Sequence, residues 1–120
     1  MEYILNATIT EIKTNIGNIN TAYGTSDNGV KVSFDYPTDL FTVELNNIIH
    51  IEIFNNISDN YILDNHKNYD YVTIGKAFYY GNMIADGYNI ISSGGLLLSL
   101  DKTIKTNDLS KKRLISYKKL

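Results

Sequence analysis

The chain has 120 residues, of which 43% are hydrophobic, contains no cysteine and has a formal net charge of −2. This length predicts a single domain, and the lack of cysteine excludes both a disulfide framework and a cysteine-based metal site. The weak negative charge gives no reason to expect tight, sequence-independent nucleic-acid binding. We expect no membrane span and no secretory signal, because no apolar run is long enough and the N-terminal residues lack a basic segment.

Alternation of apolar and polar residues predicts short β-strands through the first half of the chain. The pattern is cleanest over residues 30–36 and 48–54, where every second side chain is apolar. A tight hairpin turn is expected at Asn28-Gly29, because this pair readily adopts the required backbone conformation. The strands predicted in this half are 4–12, 16–25, 30–36, 40–45 and 48–54, the fourth with Phe41, Val43 and Leu45 facing inward.

The second half begins with a polar stretch, residues 55–68, which predicts a long loop. Residues 69–80 predict the longest strand, and Gly75 in its middle indicates a bulge or a close backbone approach. One strand is expected on each side of Gly94-Gly95. A polar loop over 101–110 and a final strand over 112–118 complete the prediction.

The two adjacent glycines have a specific structural meaning. Gly94 and Gly95 can both adopt positive φ without a steric penalty, so they predict a tight reversal or a bulge. Leu96, Leu98 and Leu100 then share one face of the outgoing strand and should point into the core. A phosphate-binding nest is the alternative, but the strand-turn-strand setting favours a structural turn.

Together these signals predict about eight or nine short strands and no amphipathic helix. That spacing is typical of an all-β sandwich or barrel, here one domain spanning residues 1–120. No internal repeat of fixed period is visible.

Few residues suggest chemistry. His50 and His66 are the only histidines, and no spacing around them fits a zinc site, so we interpret them as exposed. Asp59, Asp64 and Asp70 do not match a calcium-binding loop and read as a solvated acidic loop. No nucleophile motif is present.

Basic residues concentrate near the C-terminus. They could contact phosphate or an acidic partner, or they could be the lysines that protect an exposed strand edge from pairing with another chain. The net negative charge favours the protected edge. The residues concerned are Lys111, Lys112, Arg113, Lys118 and Lys119.

Three motifs follow one another in the second half. They read Tyr-Asp-Tyr-Val-Thr-Ile-Gly-Lys at 69–76, Ser-Ser-Gly-Gly-Leu-Leu-Leu-Ser-Leu at 92–100 and Tyr-Lys-Lys-Leu at 117–120. Their order resembles the eighth subunit shared by eukaryotic nuclear RNA polymerases I, II and III, closely over 69–120 and loosely over 1–54. Ile74 and Ser93 stand where that family usually has tyrosine, Leu98 where it has methionine and Ser99 where it has arginine.

The resemblance implies an OB-fold-like, antiparallel Greek-key barrel with a structural and assembly role in transcription. It implies a nuclear protein without catalytic residues, cofactor or metal, docked on the largest polymerase subunit and touching nucleic acid only indirectly, with no membrane contact. The faces beside Gly75 and Gly94-Gly95 would form the contact. The predicted interface residues are Tyr71, Gly75, Lys76, Ser92, Ser93, Gly94, Gly95 and Leu96.

A different class of function stays open, namely a free-standing OB-type protein that binds single-stranded nucleic acid. Such a protein needs exposed aromatic residues interleaved with basic ones along a groove. Tyr79, Tyr80 and Tyr88, with the C-terminal lysines, could supply them.

Overall fold

A computed structural model describes residues 1–55, 68–79, 86–109 and 112–120. These residues form a closed barrel of eight antiparallel strands in the order β1-β2-β3-β7-β6-β5-β8-β4. The described residues contain no α-helix, and so none that could cross a membrane. The strands are β1 Tyr3–Asn15, β2 Ile19–Ser26, β3 Lys31–Pro37, β4 Ile48–Phe54, β5 Tyr71–Phe78, β6 Gly87–Ser93, β7 Leu96–Lys105 and β8 Lys112–Lys119.

The barrel consists of two Greek keys placed side by side. In each, three consecutive strands pair in turn and a fourth returns to lie beside the first, giving β4-β1-β2-β3 and β8-β5-β6-β7. The pairs β3–β7 and β4–β8 close the barrel. The predicted antiparallel Greek-key barrel is therefore confirmed, and the same strand pattern occurs twice although the sequence shows no repeat.

The core follows from the alternation seen in the sequence. Ile49, Ile51 and Ile53 of β4 are fully buried and lie beside Leu5 and Ala7 of β1. Burial of each isoleucine side chain contributes about 1.5–3 kcal/mol. One face of most strands thus fills the interior, while the polar positions between face outward. In β8, by contrast, every residue over 113–117 is buried.

The predicted strand over 40–45 is wrong. This segment forms turns and irregular backbone, and the amide groups of Leu40 and Phe41 both donate to the carbonyl of Pro37 at 3.1 Å. Phe41 and Val43 are buried as predicted, but Leu45 is 56% exposed. Because two buried residues at positions i and i+2 suit either a strand or a loop that closes over the barrel, the pattern alone was ambiguous.

Two further boundaries differ from the prediction. The polar loop predicted over 101–110 is wrong over 101–105, because β7 continues to Lys105 and buries Ile104 opposite Tyr88 of β6, and it is confirmed over 106–109. One apolar residue in a polar run is too weak a signal for a strand. The longest strand is β1, with 13 residues, while β5 has eight. The predicted loop 55–68 lies almost wholly outside the described residues.

Candidate partner-binding face

Gly75 lies where β5 comes very close to β6. A Cβ atom built on Gly75 would lie 2.6 Å from the carbonyl oxygen of Ser92 and 2.7 Å from Cγ2 of Ile91. Neither ladder of β5 shows a register shift over its paired residues, so the glycine allows close backbone approach and not a bulge. The first of these contacts is with main chain, so a larger residue here would push the two strands apart.

Gly94 and Gly95 form the two-residue turn between β6 and β7. Their φ values are +61° and +93°, and Ser93 pairs with Leu96 directly across the turn. Positive φ at both central residues is typical of a type I′ hairpin turn. A Cβ at either glycine would meet no atom within 4 Å, so the turn backbone is open to solvent. The sequence prediction of a tight reversal is confirmed.

These two glycine features border the same cleft, which has a volume of about 350 Å³. Five of the predicted interface residues line it, although they come from two motifs far apart in sequence. Ile74 and Lys112 complete its wall. The five are Gly75, Lys76, Ser92, Gly94 and Gly95.

The other predicted interface residues do not line the cleft. Ser93 points toward Gly75, and its buried Oγ makes no hydrogen bond within the described part of the chain. Leu96 is half-buried at the start of β7. Tyr71 lies at the far end of β5, where its ring stacks on Tyr117 at a centroid distance of 5.4 Å.

Apolar side chains surround the cleft on the outside of the barrel. Ile74 and Phe78 on β5 are 40% and 39% exposed, and Leu97 on β7 is 37% exposed. Ile90 on β6 is half-buried opposite Phe78. We call this surface the β5–β7 face and define it by Ile74, Lys76, Phe78, Ile90, Ser92 and Leu97. Exposed apolar residues gathered on one face mark protein docking sites more often than scattered ones do.

Two lysines border the cleft without a carboxylate between them. Lys76 and Lys112 lie directly opposite each other in the β5–β8 ladder, and both are exposed. Neither belongs to an ion pair among the described residues. Like charges directly opposite each other destabilise a sheet, so this arrangement has a local cost in free energy.

The interpretation of the C-terminal basic segment as a protected strand edge is wrong. β8 lies inside the closed barrel, paired with β4 and with β5. Arg113 is fully buried, and its Nε donates to Oε1 of Glu2 at 3.0 Å. Lys112, Lys118 and Lys119 are exposed, and Lys111 lies outside the described residues.

The buried partner of Arg113 was missed by sequence reasoning. Glu2 and Arg113 are 111 positions apart, and no spacing rule links them. Thr106 joins the group as an acceptor at 2.6 Å from Nη2 of Arg113. These three residues line a cavity of about 460 Å³ at one end of the barrel. Glu2, Thr106 and Arg113 bind one another, so we interpret this group as structural.

One of the three tyrosines suggested for single-stranded nucleic acid is not available for stacking. Tyr88 is fully buried, with Arg113 lying 5.0 Å from its ring centroid. Tyr79 is half-buried, and Tyr80 lies outside the described residues. Burial prevents Tyr88 from stacking on a base.

The residues considered for metal binding remain scattered where they are described. His50 is only partly exposed, with its ring nitrogens 2.5 Å from Oδ1 of Asn6 and 3.0 Å from Oε1 of Glu52. His66, Asp59 and Asp64 lie outside the described residues. The part of the chain that is described contains no group of three or more side chains arranged to hold a metal ion.

Comparison with known protein families and with curated protein sequences finds no match to this chain.

Proposed function

We propose that this protein is a non-catalytic structural and assembly subunit of a DNA-directed RNA polymerase, docked on the largest subunit through its β5–β7 face. A nuclear location follows from this role. The observation that carries the proposal is the cleft itself: residues of two sequence motifs some twenty positions apart meet in one cleft bordered by exposed apolar side chains.

Two observations support the proposal, the second of them a check on the first. The motifs at 69–76, 92–100 and 117–120 resemble those of the shared eighth polymerase subunit. The Greek-key barrel matches the fold that this resemblance implies. A fold does not by itself specify a function, so the proposal rests on the β5–β7 face and its residues.

The chemistry of the face suits docking on a protein. Half-exposed Ile74, Phe78 and Leu97 can each bury further apolar area against a partner. At about 25 cal/mol per Å² of apolar surface removed from water, even a modest patch offsets part of the entropy cost of association. The two lysines beside the patch add a polar border.

The direct test is purification of the tagged full-length protein from its source cells, followed by identification of the proteins that accompany it. We expect the largest subunit of a DNA-directed RNA polymerase in near-stoichiometric amount. Purification of the protein without any polymerase subunit would refute the proposal.

Variants locate the docking surface in the same assay. Phe78→Asp and Leu97→Asp should reduce recovery of the largest subunit, because each places a charge in the apolar patch. Ile16→Asp is the matched control, since Ile16 is 97% exposed and lies outside the β5–β7 face. An equal loss in all three variants, or no loss in the first two, would rule out this face as the contact. Circular dichroism of each variant checks that the barrel is folded.

A further inference from the structure

We infer that the Lys76–Lys112 pair, beside the Gly94-Gly95 turn, binds a carboxylate from an acidic segment of a protein partner. This inference rests on the proposed function, because it names the chemistry that the partner presents to the β5–β7 face. The observation behind this inference is that two exposed lysines lie directly opposite each other on β5 and β8, in a cleft of about 350 Å³.

The lysine pair has a cost in the isolated barrel that a carboxylate would remove. Directly opposed like charges repel, and within the described residues neither lysine has an acidic partner. A carboxylate placed between the two ammonium groups would form hydrogen bonds assisted by both charges. The site is therefore complementary to an anion that the described chain does not itself provide.

The rest of the cleft suits the same ligand. The hydroxyl of Ser92 lies on the same outer row of the sheet as Lys76. The turn at Gly94-Gly95 has no side chains, so a partner backbone can approach it without a steric clash. A carboxylate on an extended segment could reach between the lysines from this side.

The surroundings favour a protein segment over a nucleic acid. Ile74 and Phe78 flank Lys76 on β5, and both are about two-fifths exposed. Single-stranded nucleic acid would instead need several exposed aromatic residues interleaved with basic ones. On the β5–β7 face Phe78 is the one aromatic side chain, and its apolar neighbours are aliphatic. The net charge of −2 also gives no general attraction for nucleic acid.

A zero-length carbodiimide cross-linker tests the inference on the purified complex, since it joins only amines and carboxylates that are in ion-pair contact. We expect Lys76 or Lys112 to be linked to an aspartate or glutamate of a partner protein. Lys102 is the internal control, because it is exposed on β7 but does not line the cleft. A complex in which neither cleft lysine is linked would overturn the inference while leaving the proposed function intact.

Charge reversal at either lysine should change two measurable properties in opposite directions: it should stabilise the isolated barrel and weaken partner binding. Lys76→Glu or Lys112→Glu places opposite charges across the β5–β8 ladder, so the isolated barrel should unfold about 1–4 °C higher. The same variants should bind the partner about tenfold more weakly at low salt, whereas Lys102→Glu should change neither property much. Unchanged partner binding in both cleft variants would contradict the inference.

Two further outcomes separate this inference from the proposed function. A link from Lys76 to an acidic segment of a protein outside any polymerase would support the inference and refute the proposed function. Tight, salt-sensitive binding of a single-stranded oligonucleotide by the isolated chain, lost in Lys76→Glu, would overturn the inference in favour of a nucleic-acid site.

Discussion

The two ends of the barrel are closed in opposite ways. One end, the polar end, is filled by Glu2, Tyr88, Thr106 and Arg113. The other, the aromatic end, is filled by the rings of Tyr36, Phe41, Tyr71 and Tyr117. Arg113 and Tyr117 occupy the same face of β8 four residues apart, so one strand contributes to both ends.

The polar end depends on a single network. Arg113 is fully buried, and the side chain of Glu2 is 7% exposed, so each charge relies on the other for compensation. Burial on its own would raise the pKa of Glu2, but hydrogen bonds from Arg113 and its neighbours Tyr88 and Thr106, together with the charge of Arg113, outweigh it and hold that pKa below its usual value. The carboxylate is therefore stabilised in its charged form.

The aromatic end depends on many weaker contacts. Phe41 lies 5.8 Å from both Tyr36 and Tyr71 and 5.9 Å from Tyr117, measured between ring centroids. Each such pair contributes about 0.5–1.5 kcal/mol beyond the burial of its area. Loss of one side chain should therefore cost more stability at the polar end than at the aromatic end.

The largest effect is expected from Arg113→Met. This change leaves the carboxylate of Glu2 buried without its counter-charge and should lower the free energy of unfolding by about 3–5 kcal/mol. The double variant Glu2→Leu/Arg113→Met should recover most of that loss, because it removes both charges. Urea denaturation followed by circular dichroism measures both. A double variant as unstable as the single would show that packing, and not the charge pair, stabilises this end.

A smaller effect of a different kind is expected at the aromatic end. Phe41→Leu and Tyr71→Leu should each cost about 1–2 kcal/mol, since leucine keeps apolar volume but loses the ring contacts. Here the double variant should be less stable than either single variant, whereas at the polar end the double variant should be more stable than Arg113→Met. Recovery of stability in the double variant would abolish the distinction between the ends.

The sequence was sufficient for most of the fold but not for the aromatic cluster, because Tyr71 was predicted to contact a partner and instead stacks on Phe41 and Tyr117. Alternating isoleucines in β4 fix which face is buried, and the glycine pair fixes the turn between β6 and β7, because both are local signals. Burial of Phe41 was also predicted, although its backbone is a turn and not a strand.

The sequence was insufficient for the polar end and for part of the candidate face. Arg113 stands among lysines, so local composition indicated an exposed position, and only strand pairing brings it near Glu2. Gly75 could be predicted to permit a close approach. The position of Lys112 directly opposite Lys76 could not be predicted, because it depends on the register between β5 and β8.

The last and smallest effect is a contrast in pH dependence between the ends. The lowered pKa of Glu2 means that its contribution to stability is fully present above pH 4.5, its unfolded value, and is lost as the pH falls through the folded-state pKa. Burial raises the pKa of Tyr117, so its contribution is present below pH 10 and is lost as the pH rises above that value. Thermal unfolding of the wild type between pH 3 and pH 11 should show both declines. Tyr117→Phe should lessen only the alkaline decline. Glu2→Leu/Arg113→Met should lessen the acid decline and also alter the alkaline one, because burial raises the pKa of Tyr88 and the charges of Glu2 and Arg113 both act on it. If Tyr117→Phe also altered the acid limb, the two ends would be energetically coupled through β8 and could not be treated as separate.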